Sequence, residues 1–132
     1  MPLAATPAAA ANYDSKCSPV IGGVIVAPPA TGGGKWDYAS RTRLNPVTLT
    51  VADRKADGMN VGVRLVTRKS NGTNHAWPWK RLYSGSGTSQ SWGTSATDSG
   101  GIRLAWTQVG VFDGNTLKLL CESAKGTNLH WA

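Results

Sequence analysis

Residues 46–69, PVTLTVADRKADGMNVGVRLVTRK, decide the fold class. Val47, Leu49 and Val51 alternate with Thr48 and Thr50, the period of a strand with one buried face. After the Asp57–Gly58 turn signal, Met59, Val61, Val63 and Leu65 repeat the pattern, with Asn60, Arg64 and Arg68 mostly outward. Neither half fits a helical period. Glutamate occurs once, at Glu122, and no window holds apolar residues at i, i+3, i+4 and i+7.

The same alternation extends in both directions. Asn71–Gly72 is the strongest hairpin signal, and it leads directly into Trp77–Pro78–Trp79. Residues 84–101 are turn-rich, with Trp92 as their only large side chain. Residues 102–113, IRLAWTQVGVFD, form a long strand in which Ile102, Leu104 and Trp106 are expected to face one way, into the core. Asp113–Gly114–Asn115 turns the chain back into LKLLCE, and NLHWA is expected to add a last short edge. Strands spaced by roughly 8–15 residues with Gly, Asn and Asp turns indicate an all-β fold, a small antiparallel β-sandwich or barrel-like domain. A chain of 132 residues supports one such core.

Residues 1–34 differ in composition from the rest. Small residues at 8–11 fit the end of a signal peptide, although a basic leader and a long apolar run are missing. Val20, Ile21, Val24, Ile25 and Val26 form a short apolar run fenced by prolines, and Gly32–Gly34 reads as a linker. The expected division is a signal remnant and a flexible or partner-inserted arm at 1–34, then a single β domain at 35–132. The apolar run is either the domain's own first strand or a segment that adds to a partner's sheet or groove.

Two cysteines, Cys17 and Cys121, lie near the two ends of a charge-poor chain rich in Gly, Ser and Thr, which suggests export and a disulfide between them. Such a bond closes a loop of roughly 100 residues and contributes on the order of 4–5 kcal/mol in the chain-entropy description. Neither cysteine sits in a metal-binding spacing.

Catalytic chemistry is poorly supported. The histidines are His75 and His130 alone, and there is no nucleophile elbow, zinc-binding helix motif, phosphate loop or dinucleotide fingerprint. The acids sit mostly at turns, where Asp satisfies local backbone donors. No enzyme activity, cofactor or metal is expected. A net charge of +7 suggests acidic partners, but no run of five cations marks a nucleic-acid stripe, and no stretch is long enough for a membrane span. Six tryptophans are the chemical excess of this chain. Trp77, Trp79 and Trp92, with His75 beside them, form a candidate aromatic contact face; Trp77 and Trp79, two apart, are expected to share one side of a strand. That side either covers the domain's own core, the favoured reading, or presents a platform to a glycan or a partner.

The runs GVRLVTRKSNGTNHAWPW at 62–79 and SWGT, GIRLAWTQVGVFDG further on resemble the small secreted β-domain adaptor subunit of actinobacterial umbrella toxin particles. The resemblance spans residues 36–122. It implies a non-catalytic protein that joins a lectin-bearing subunit to a toxin-bearing scaffold, with its arm inserted into a partner and an antibacterial complex as the setting. The expected partners are therefore other secreted protein subunits, reached through the arm and the β domain. A glycan-binding module using surface tryptophans and a secreted peptidase inhibitor are the competing readings.

Overall fold

The two alternating strands of residues 46–69 lie in different sheets, facing each other across a common core. A computed structural model describes residues 12–17, 29–56 and 58–131, the side chains of 12–17 excepted. In chain order the strands are β1 (Asn12–Cys17), β2 (Ala30–Tyr38), β3 (Arg43–Asp53), β4 (Asn60–Arg68), β5 (Asn74–Ala76), β6 (Lys80–Leu82), β7 (Ser89–Thr97), β8 (Leu104–Asp113), β9 (Thr116–Glu122) and β10 (Gly126–Thr127), followed by one 3₁₀ turn at Leu129–Trp131. All pairings are antiparallel. The first sheet runs β1-β2-β3-β7. In the second, β4 and β8 pair centrally; β5 and β6 share the free edge of β4, and β9 and β10 share that of β8. No described helix is long and apolar enough to cross a membrane.

Alternation places the core. Trp36, Tyr38, Leu44, Val47, Leu49 and Val51 from the first sheet meet Val61, Val63, Leu65, Val109 and Val111 from the second, all buried. The expected inward set on β3 and β4 is therefore correct. Trp36 and Tyr38 meet edge to face at 6.4 Å, a geometry that aromatic quadrupoles favour.

The glycines at 32–34 are not a linker. They lie inside β2, paired with β1 on one side and with Thr50, Val51 and Leu49 on the other. A Cβ on Gly34 would stand 2.8 Å from Thr107 Cγ2 and 3.0 Å from Leu49 Cδ2; one on Gly32 would stand 2.6 Å from the Thr50 carbonyl oxygen. The absent side chains let β2 lie close against β8. Because β1 also pairs with β2, the ordered sheet begins ahead of the boundary expected at residue 35. Val20, Ile21, Val24, Ile25 and Val26 lie outside the described residues.

Three further expectations change. Residues 89–97 are a nine-residue strand, β7, rather than turns. It is an edge strand with a mostly exposed Ser/Thr surface, so it needs few apolar residues, and Ala96 alone among its side chains is fully buried. Ile102 precedes β8 and enters the core, whereas Leu104 and Trp106 occupy the opposite face from Ala105, Val109 and Val111. The C-terminal residues form a 3₁₀ turn, not a strand. That turn is clamped by buried Asn128, whose Nδ2 donates to the Ser40 carbonyl at 2.9 Å and the Ile102 carbonyl at 2.8 Å.

Gly34→Val is expected to lower the unfolding free energy in urea by about 1–3 kcal/mol, the usual cost of overpacking. Gly93→Ala, on β7 with nothing within 4 Å of its new methyl group, is expected to change it by less than about 0.5 kcal/mol.

Candidate functional site

The outer face of the second sheet carries a layer of aromatic rings and cations instead of the polar surface that usually meets water. Its central rung crosses β4, β8 and β9 at Arg64, Gln108 and Glu122, which are direct neighbours in register. Arg64 Nε donates to Gln108 Oε1 at 2.7 Å, Gln108 Nε2 donates to Glu122 Oε2 at 2.7 Å, and Trp106 Nε1 donates to the same carboxylate oxygen at 3.1 Å. The hydrogen bonds from Gln108 and Trp106, then the charges of Lys125 and Arg64, hold Glu122 below the usual carboxylate range against the opposing effect of burial. Burial pulls Arg64 below its ordinary value, and Glu122 works in the other direction.

Rings and cations alternate around this rung. The Arg64 guanidinium lies 4.4 Å over Trp79, Arg68 lies 5.4 Å over Trp106, and the Lys125 ammonium lies 4.8 Å over Trp106. Trp79 meets Phe112 edge to face at 5.0 Å, and Arg81 lies 3.7 Å over Phe112. Arg81 is held there by the Asn60 side chain and by the Gly114 carbonyl, the latter at 2.8 Å. The space for these rings comes from Gly62 and Gly110, which face each other across β4 and β8. A Cβ on Gly110 would meet Leu117 Cδ1 at 2.8 Å and Trp79 at 3.1 Å, and one on Gly62 would meet Arg81 at 3.0 Å. Trp106 and Phe112 are consequently buried, at 1 % and 3 % exposure, without belonging to the core between the sheets.

Pro78 sets the position of Trp79. On the edge of β4, Ala76 stands opposite Val66 and Lys80 opposite Val63, so three edge residues, 77–79, span the two residues 64 and 65. One inserted residue inverts the alternation, as in a β-bulge, and proline is tolerated there because no ladder donor is lost. Trp77 therefore turns toward the core rim, its Nε1 donating to Thr67 Oγ1 at 3.0 Å, while Trp79 turns to the outer face.

The expected aromatic contact face does not form as one surface. His75 and Trp77 meet at 4.5 Å, Trp79 lies on the other side of the bulge, and Trp92 stands opposite Leu49 in the first sheet, packed against the core. Strand alternation without the bulge made Trp77 and Trp79 look equivalent. Sequence reasoning also missed Arg64, Arg81, Gln108, Phe112 and Glu122 as one assembly. Its available signal was a pair of glycines inside otherwise strong strands, which marks a close approach.

Lys69 pairs with Asp98 at a long 3.9 Å. The cations of the outer face stack on rings, Arg64 and Arg81 also donate to neutral oxygens, and Glu122 lies near Arg64 and Lys125. Beside them Tyr83, Leu117 and Leu120 are exposed by 67 %, 40 % and 43 %. No described group of three or more His, Cys, Asp or Glu is arranged to hold a metal ion. No protein-family model and no curated protein matches this chain.

Because the folded pKa of Glu122 is depressed, its contribution to stability is present above the unfolded value of about 4.3 and is lost as pH falls through the folded value. Urea denaturation between pH 6 and pH 2 is expected to show a smaller acid-induced loss for Glu122→Gln than for the parent chain.

Proposed function

We propose that this chain is a secreted, non-catalytic interaction module, an adaptor that joins subunits of an extracellular protein complex through the outer face of its second sheet. One observation carries the reading: Arg64, Arg68, Arg81 and Lys125 each lie over an aromatic ring, with Glu122 as an acidic neighbour of Arg64 and Lys125. A partner surface that supplies carboxylates would meet ordered guanidinium groups and, beside them, Leu117 and Leu120. The net charge of +7 favours encounter with such a partner. The resemblance to adaptor subunits of umbrella toxin particles supports an antibacterial complex as the setting, with the run Val20–Val26 as a second point of attachment.

The glycan reading is weaker because Arg64 already occupies a face of Trp79, leaving less ring for a sugar. Export is supported by the cysteines. Cys121 carries no free thiol, and Cys17, whose side chain lies outside the described residues, is the partner we assign to it.

Affinity capture from the native secretome tests the docking face. Arg64→Glu combined with Lys125→Glu is expected to weaken retention of the acidic partner at least tenfold, most strongly at low salt, with the circular dichroism spectrum unchanged. Lys35→Glu, an exposed position on the first sheet, is expected to retain it. Equal retention by all three proteins would sink the docking face. For the cysteines, intact mass before and after reduction is expected to differ by two hydrogens, and a single alkylated thiol without reductant would contradict the Cys17–Cys121 bond.

A further inference from the structure

At the Arg68 end of the arginine–aromatic face, where β8 begins, lies a groove of about 460 Å³. Arg68 and Lys69, at the end of β4, and Arg103, leading into β8, bring three positive charges to it, and no acidic residue lines it. Each cation is positioned without being neutralised in full. Arg68 Nε donates to Asn74 Oδ1 at 2.9 Å, the Arg103 guanidinium rests 5.1 Å over Trp131, and Lys69 reaches Asp98 only at 3.9 Å. Leu104, Leu129 and Trp131 supply apolar surface between the charges.

This groove is built rather than incidental. Trp131 Nε1 donates to the carbonyls of Arg41 and Ile102 at 3.1 and 3.0 Å, and Arg41 Nε returns a bond to the His130 carbonyl at 2.9 Å. His130 Nε2 lies 2.8 Å from the Tyr38 carbonyl, and Asn128 ties the 3₁₀ turn to the loop at Ser40 and to Ile102. On the opposite wall the Asn71–Gly72 turn is closed by Thr73, whose backbone N–H and hydroxyl both donate to Asn71 Oδ1. The cations therefore project from a frame whose shape is fixed before any ligand arrives, which reduces the ordering cost of binding.

We propose that this groove is a second binding site, for a phosphate or sulfate ester group carried on a small organic molecule. Two guanidinium forks and an ammonium provide the directed donors that a tetrahedral oxyanion accepts, and planar carboxylates use fewer of them. The volume suits a small ligand, and Leu104 and the exposed Leu129 offer apolar surface to the carbon skeleton that bears the anion. The site shares Arg68 with the docking face, so Arg103 and Lys69, which take no part in the Arg64 rung, are the positions that test it separately.

Amide chemical-shift titration of the full ¹⁵N-labelled chain tests the site, with inorganic phosphate, glycerol 1-phosphate, galactose 6-sulfate and acetate as probes. Saturable shifts are expected at Ser70, Gly72, Leu104 and Thr127, weakening as salt is raised, with at least one ester binding several-fold more tightly than inorganic phosphate or acetate. Whichever ester binds the more tightly identifies the source of the anion. Arg103→Glu, at an exposed side chain, is expected to weaken that ester at least tenfold, and Lys69→Gln to weaken it by a smaller factor. The site is overturned if no probe gives saturable shifts there, if acetate binds as tightly as the esters, or if Arg103→Glu binds them unchanged.

Discussion

The Arg64 guanidinium, stacked on Trp79 and bonded to Gln108, resolves the main difficulty of this fold. The second sheet carries bulky apolar side chains on both of its faces, and the first sheet covers only one of them. Trp106 and Phe112 point away from the core, yet they are as buried as the residues inside it. Cations are the side chains suited to cover them. A guanidinium offers a flat face to a ring and keeps its edge available to acceptors, and a long aliphatic stem covers apolar surface while the charge stays wet. The Gly62–Gly110 pair and the bulge at Pro78 serve the same arrangement, one by clearing room above the sheet and the other by turning Trp79 into it.

The two outer faces differ in consequence. On the first sheet, β3 and β7 present hydroxyls such as Thr50 and Ser91, bonded to each other at 2.7 Å, in a polar surface that water satisfies. On the second, positive charge is held at set positions by rings and by neutral oxygens, with Glu122 as the acid inside the network. A surface of fixed cations bordered by exposed leucines is costly to leave bare in an isolated chain and useful to one that docks.

The sequence made the architecture legible wherever a strand has one wet face. β3 and β4 were readable because Val47, Leu49, Val51, Val61, Val63 and Leu65 alternate with polar residues, and the hairpin at Asn71–Gly72 follows from its dipeptide. β7 was hidden because an edge strand of serines and threonines resembles a loop. The glycines of β2 were misread for a related reason: a missing side chain signals flexibility in isolation and close approach in a packed sheet. The candidate site was the least legible part. Its members lie on four strands, in the bulge between β5 and β6 and in the loop before β10, and alternation assigns Trp106 to the core because an aromatic residue in a buried strand looks the same from either side. A single inserted residue at 77–79 was enough to separate two tryptophans that looked equivalent.

Zero-length carbodiimide cross-linking of the protein in its native source, followed by peptide mapping, addresses the proposed docking face most directly, since it joins a lysine only to a carboxylate in contact with it. The account predicts a cross-link from Lys125, which lies over Trp106 on the outer face of the second sheet, to an acidic residue of a partner chain. Partner cross-links confined to Lys35 on the first sheet, with none from Lys125, would contradict it.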